Sequence, residues 1–251
     1  MATPQIHVPF GQLGRRMDLI QSGRFNLEIY FGADDLDDLA DGRLEEIGRA
    51  LDYKPRLTFH APFLDLSPGA VDPLVRKATI HRFEQTLRAA EILKPVSVVC
   101  HSGYEKWKYA LDVDFWLDKS MQTWKPLDEL FRKAGCRIAI ENIFEDEPSN
   151  LRLLMQAMAS DNFGVCFDTG HCNLFTSEPL DRWIEALGPF IIEMHLHDND
   201  GSADQHLPPG DGTFDFDRLF SLVDARDIIC TLEAHTPEHA LTGIERLKKY
   251  L

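Results

Sequence analysis

The chain alternates eight short apolar runs with longer amphipathic stretches, and that alternation limits the folds open to it. The runs lie at residues 6–10, 27–31, 56–60, 96–101, 137–141, 163–168, 190–195 and 228–233. Each has the length of a strand and is apolar enough to be buried on both faces. Helical stripes fall between them: Ile80, Phe83, Leu87, Ala90 and Leu93 form one, and Leu127, Leu130, Phe131 and Ala134 another. Asp72-Pro73 and Thr236-Pro237 each set a capping residue before a proline at the first helical position. Gly135 stops the second stripe. Eight strand–helix units predict an α/β fold, a single closed (β/α)8 TIM barrel, with residues 1–251 as one domain. A doubly wound open sheet is the competitor, but no G-x-G-x-x-G follows an early run.

Charge narrows the partners. Lys plus Arg number 26 and Asp plus Glu 41, a net charge of −15. That balance favours solubility and disfavours a large basic surface for nucleic acid, except where bound cations add local positive charge. The acidic stretches 34–41 and 145–147 read as solvated surface. Five cysteines without a C-x-x-C pair read as buried free thiols in a reducing cytoplasm. No secretory leader is evident, and no apolar run approaches a membrane span.

The stretch 191–214, IIEMHLHDNDGSADQHLPPGDGTF, packs His195, His197, Asp198, Asp204 and His206 close together. As a strand it sets Ile192, Met194 and Leu196 on one face and His195 on the other. The same design recurs along the chain. Six of the eight runs end in a metal-ligand side chain: His60, His101, Glu141, Asp168, His195 and Glu233. Two residues before each stands a partner on the same face: Thr58, Val99, Ala139, Cys166, Glu193 and Thr231. Most of these suit a barrel interior, and Glu193 does not. In a parallel barrel all strand ends open on one rim, where the loop residues His171, Asp204 and His206 join them. So many carboxylates and imidazoles at one mouth require cations between them, and the mixture suits Zn²⁺ or Mn²⁺. A structural polar network is the alternative reading.

The motifs LTFHAPF, VVCHSGY, IAIENIF, GVCFDTGHCN, EMHLHDNDGSADQHLPPGDG and CTLEAH carry a resemblance to the xylose-isomerase-like TIM-barrel superfamily. That group holds sugar isomerases and epimerases and the endonuclease IV type of apurinic endonuclease. In the isomerase and epimerase branch the resemblance implies one divalent ion on Glu141, Asp168, His195 and Glu233. It implies that Glu141 and Glu233 also move a proton next to a carbonyl through an enediolate, and that His171 binds a small sugar substrate. An Arg that several ketose epimerases place before the Pro-Gly turn is His206 here. In the endonuclease IV branch it implies three zinc ions. His60, His101 and Glu141 hold the first; Glu141, Asp168, His195 and Glu233 the second; His171, Asp204 and His206 the third.

The two branches thus imply one to three ions. The acidic loop after the second run, GADDLDDLADG, and the scarcity of Lys and Arg near the motifs favour the small-molecule branch. The complete set of nine ligands favours the other. Phe63 reads as a loop residue covering the barrel mouth, or as a base-stacking aromatic. Tyr104, Trp107 and Tyr109 either wall a pocket or cluster beneath the loop. His197 and Asp198 are expected to support the ligands or touch substrate. His7 and His235, near strand ends, read as satisfied structural histidines, with contact to the pocket as the alternative, and His81 and His239 as solvated ones.

Overall fold

The structure, a computed structural model, describes residues 4–251, residue 41 by its backbone alone. Residues 1–3 of the expected domain, and the Asp41 side chain of the 34–41 stretch, lie outside the described residues. In chain order the elements are β1 (Gln5–Pro9), α1 (Leu13–Gly23), β2 (Asn26–Tyr30), α2 (Ala33–Asp37), α3 (Asp41–Ala50), β3 (Leu57–His60) and α4 (Pro73–Leu93). There follow β4 (Ser97–His101), α5 (Val113–Ala134), β5 (Arg137–Glu141), α6 (Ser149–Met158), β6 (Phe163–Asp168), α7 (Thr169–Phe175) and α8 (Leu180–Leu187). The last are β7 (Ile191–Leu196), α9 (Phe216–Leu222), β8 (Ile229–Leu232) and α10 (Pro237–Leu247). The strands pair in parallel in chain order, and β8 closes on β1, so the fold is the closed (β/α)8 TIM barrel expected.

Local signals act as their chemistry dictates. Asp72 accepts the Leu74 amide at 2.7 Å and Thr236 the His239 amide at 3.2 Å, each opening its helix. Gly135 ends α5 at a φ of 75°, in the left-handed region that favours glycine. Of the stripe on α4, Phe83, Leu87 and Ala90 are buried and Leu93 packs against the core. On α5, Leu130 is instead 38% exposed. The buried face of that helix runs through Trp116, Ser120, Thr123, Trp124, Leu127 and Phe131, which turns Leu130 outward.

The outward faces of the strands and the inner faces of the helices form the main core. Inside the barrel lies a smaller apolar cluster, Val99, Ala139 and Cys166. Beside it is a polar layer that accounts for Glu193. Its carboxyl accepts hydrogen bonds from Ser97 Oγ at 2.7 Å, Thr231 Oγ1 at 3.0 Å and Gln5 Nε2 at 3.2 Å. Burial, and then the nearby Glu28 carboxylate, push this carboxyl up to about 8. A neutral acid with three donors around it is tolerable where a bare charge is not.

The expectation for Ile192 needs correction. Val165 pairs with Ile191 but Cys166 with Glu193, so Ile192 is the extra residue of a bulge. It packs on Val99, Ala139 and Cys166 rather than sharing a face with Met194 and Leu196. Gly164 makes the room, since a Cβ there would lie 2.7 Å from Ile192 Cγ2. The five cysteines are buried and free. Among the described residues no helix is long and apolar enough to cross a membrane.

The helix ring is stapled to the barrel by Trp124, fully buried, which stacks on Phe83 at 5.1 Å and meets Phe163 edge-on at 5.6 Å. Trp124→Ala is expected to cost about 3–5 kcal/mol of stability. Urea unfolding checks it, as a lower midpoint at an unchanged slope.

Candidate metal centre

Parallel strands bring their ends to one rim, and the ligand-type residues arrive there in register. β3, β4, β5 and β6 end on His60, His101, Glu141 and Asp168. His101 lies beside Glu141, and Asp168 beside His195. Glu233 directly follows β8. The nine expected residues come together in three adjoining sets. His60 Nε2 and His101 Nε2 each lie 3.1 Å from Glu141 Oε2. His195 Nδ1 lies 3.2 Å from Glu233, 3.4 Å from Glu141 and 3.7 Å from Asp168. Asp204 Oδ2 lies 3.1 Å from His206 Nε2 and 3.5 Å from His171 Nε2. Glu141 thus turns one oxygen to the first set and the other to the second.

Backbone groups fix the orientation of these side chains. His60 Nδ1–H donates to the Ala61 carbonyl at 2.8 Å, and His171 Nδ1–H to the Asn142 carbonyl at 3.0 Å. Each leaves Nε2 for the site. Asp168 caps α7 by accepting the His171 amide at 2.7 Å, which ties the ligand-bearing FDTGH turn together. Asp198 does not face the site. Its carboxylate accepts the amides of Asn199, Gly210, Gly212 and Phe214, pinning the Pro-Gly turn and with it the Asp204–His206 loop.

Four residues belong to this region that the pattern of strand ends did not include. His197 is fully buried, with Nε2 3.0 Å from Asp168 Oδ2 and its ring stacked on His206 at 4.1 Å. It groups with Asp168 and His171, and again with His206 and Glu233, closely enough to share an ion. His7 takes the pocket-contact alternative over the structural one. Its Nδ1 lies 2.9 Å from Glu28 and 3.2 Å from Glu233, and it lines the cavity above the site. His235 also lines the cavity, stacked on His206 at 4.5 Å. Glu28, two residues before the end of β2, is fully buried and reaches His195 from below. The period-2 alternation could have found it, since Glu28 points the same way as Tyr30.

The electrostatics are those of carboxylates held together by positive charge. Burial pushes Glu141 and Glu233 up, but His195 above all outweighs it and holds both well below the usual carboxylate range. Burial pulls His195 down, and the surrounding acids raise it well above an ordinary imidazole. His171 is raised likewise, with Asp168 the main counter-charge. His101 goes the other way, since burial there outweighs Glu141.

Two atoms test whether this donor set fits a cation. His195 Nδ1 and His197 Nδ1 are buried and make no hydrogen bond. Around the first stand three carboxylates, at 3.2, 3.4 and 3.7 Å, and none of them makes a hydrogen bond to it. An orphaned nitrogen ringed by acids has the donor chemistry of a zinc or manganese site. Two further sets, His60–His101–Glu141 and His171–Asp204–His206, adjoin it.

Above the site opens a cavity of about 780 Å³, within the usual range for small-molecule pockets. Phe63 covers one side, stacked on His101 at 4.3 Å. Tyr104 lines the wall, whereas Trp107 stands 75% exposed and Tyr109 is buried behind Tyr104. Of the three expected aromatics, Tyr104 alone walls the pocket.

The family model for xylose isomerase-like TIM barrels matches residues 26–250. An uncharacterized protein of Methanocaldococcus jannaschii, MJ1311, is 30% identical over 79% of this chain and 71% of its own length. Two solved structures superpose across almost all of both chains. A D-tagatose 3-epimerase-like protein is 27% identical, with a TM-score of 0.84 over 98% of this chain and 96% of the other. The TTHB071 protein of Thermus thermophilus, soaked with ZnCl2, is 25% identical, with a TM-score of 0.82 over 98% of each. The endonuclease IV of the same organism, at 18% identity and a TM-score of 0.68 over 99% of this chain and 98% of its own, shares the fold.

The place of His197 depends on Gly170, where a Cβ would lie 2.0 Å from the imidazole. Gly170→Ala is expected to displace that ring from Asp168 and to cost about 1–3 kcal/mol. Thermal melting reads the loss, and the His197 ring signals in NMR read the displacement.

Proposed function

The chain belongs to the xylose isomerase-like TIM-barrel family, and from that premise we propose that it is a divalent-metal-dependent isomerase or epimerase of a small sugar or sugar-derived substrate. The observation that carries this reading is the approach of Glu141 and Glu233, from separate strands, to the orphaned His195 Nδ1. Both carboxylates also line the cavity, so each faces a substrate placed above. Asp168 and His195 complete the donor set. A divalent ion held there, Zn²⁺ or Mn²⁺, supplies positive charge beside a carbonyl and its neighbouring hydroxyl.

The chain's own residues do the rest. Glu141 and Glu233 are held ionised, the form that accepts a proton from the carbon next to a carbonyl. The carboxylate on one face takes that proton and gives it up to solvent, while the other, protonated from solvent, delivers a proton to the opposite face. His171, fixed by its Nδ1–H on the Asn142 carbonyl, offers Nε2 to a substrate hydroxyl. Phe63 over His101 keeps water off one side of the cavity. The likeness to a D-tagatose 3-epimerase-like protein supports a sugar as substrate. The net charge of −15 supports a small molecule over nucleic acid. The buried free cysteines support a cytoplasmic location.

A second reading, a multinuclear zinc phosphodiesterase, is favoured by a specific observation. The sets His60–His101–Glu141 and His171–Asp204–His206 flank the central one, and each has the residue types of a zinc site. Metal content separates the readings. Mass spectrometry of the purified protein is expected to find one tightly held divalent ion per chain; three point to hydrolysis.

Activity is the second test. A ketose panel incubated in D₂O is expected to gain deuterium at the carbon next to the carbonyl. Glu141→Gln and Glu233→Gln each lower that exchange by about 10²–10⁴-fold. Unchanged exchange in both variants, or turnover of a phosphodiester by a protein that exchanges no ketose, removes the isomerase reading.

A further inference from the structure

His195 is the residue on which the site turns, and the structure shows how it is aimed. Its Nε2 lies 3.2 Å from both oxygens of Glu28. Its Nδ1 faces Glu141, Asp168 and Glu233. Glu28 is itself fixed. Thr58 Oγ1 donates to its Oε2 at 3.2 Å, and His7 Nδ1–H to its Oε1 at 2.9 Å. The carboxylate is fully buried, and these donors together with His195 satisfy it.

We propose that Glu28 is the positioning residue of the centre: by accepting the Nε2 proton of His195 it makes Nδ1 the metal-binding nitrogen, and through its other oxygen it seats His7 beside Glu233. An imidazole in a ring of acids has two faces to offer and two protons to place. A carboxylate on one nitrogen decides the tautomer, turns the ring and raises the basicity of the other nitrogen. Without Glu28, the ring is free to turn and to offer either nitrogen. His7 would lose the shorter of its two carboxylate contacts, leaving Glu233 at 3.2 Å. The inference rests on the metal reading above but not on the reaction chosen, because both readings use His195.

The test is a Zn²⁺ titration of the full chain labelled with ¹⁵N-histidine, read by long-range ¹H–¹⁵N spectra, with His195 assigned from His195→Gln. In wild type, Zn²⁺ is expected to shift His195 Nδ1 while Nε2 keeps its proton. Glu28→Gln, of the same size and still able to accept at one oxygen, is expected to bind that ion about 10-fold more weakly, and Glu28→Ala about 100-fold. In Glu28→Ala the His195 signals become those of mixed tautomers. Wild-type affinity and a wild-type tautomer in both variants, even with a lowered melting temperature, overturn the proposal. Zn²⁺ on Nε2 in wild type also overturns it. If Glu28→Ala does not fold, Glu28→Gln decides alone, by a tenfold loss or none. A wild-type chain that takes up no Zn²⁺ overturns the metal reading itself, and the role of Glu28 with it.

Discussion

The structure depends on balancing charge around one imidazole. His195 is fully buried, yet Glu28, Glu141, Asp168 and Glu233 all lie within 3.7 Å of its nitrogens. Four acids at that spacing in a site of low polarity repel one another strongly. They are held there only because positive charge sits among them, on imidazoles or on an ion. The histidines at 7, 60, 101, 171, 197 and 206 form the next ring, each beside one of these acids or Asp204.

That balance reaches down into the barrel. Below the rim the interior is split. Val99, Ala139 and Cys166 fill part of it with apolar volume, while Gln5, Thr58, Ser97, Glu193 and Thr231 fill the adjoining part with hydrogen bonds. The polar part lies beneath Glu28 and His195. Glu193, pushed up by burial and by Glu28, adds little charge to a place already crowded with acids. The bulge at Ile192 belongs to the same arrangement. It sends one apolar side chain into the interior between strands, and the register that follows pairs His195 with Asp168 and with Thr231. A strand without the extra residue would set Glu193 and His195 on the other face.

The sequence made the barrel and most of the rim legible, for a physical reason. A parallel barrel buries both strand faces, so a charged or imidazole side chain at the end of an apolar run stands out, and six runs carried one. What it hid was whatever depends on contact across the barrel. Glu28 sits inside its run rather than at its end, and its partner His195 is five strands away in sequence. His7 gave no sign of standing between two carboxylates. His197 was legible as a residue that supports a ligand or touches substrate, but its depth was not, because its burial depends on Gly170, whose missing side chain leaves space for the ring. The bulge was hidden for a similar reason, since it is Gly164 on the neighbouring strand that admits Ile192. Trp107 misled in the other direction. An aromatic in a rim loop suggests a wall, but the loop turns it to solvent and leaves Tyr104 facing the cavity.

The ligand set by itself is permissive of two chemistries, because the same acids and imidazoles serve proton transfer with one ion and phosphoryl transfer with several. What distinguishes them physically is the surroundings. A polyanion has to be drawn to the rim, and α2, after β2, presents Asp34, Asp35 and Asp37. Of these, Asp37 is paired with Arg82 and Asp35 caps its own helix, so part of that charge is internally spent. The chain as a whole still carries a net −15, which repels phosphate at long range. A small neutral substrate needs no such attraction. It needs a pocket of its own size, two acids able to reach one carbon, one to take a proton and the other to deliver one, and a positioned imidazole. The cavity over Glu141 and Glu233, with His195 anchored from beneath, provides that combination, and this is why the proton-transfer reading is preferred on the same set of ligands.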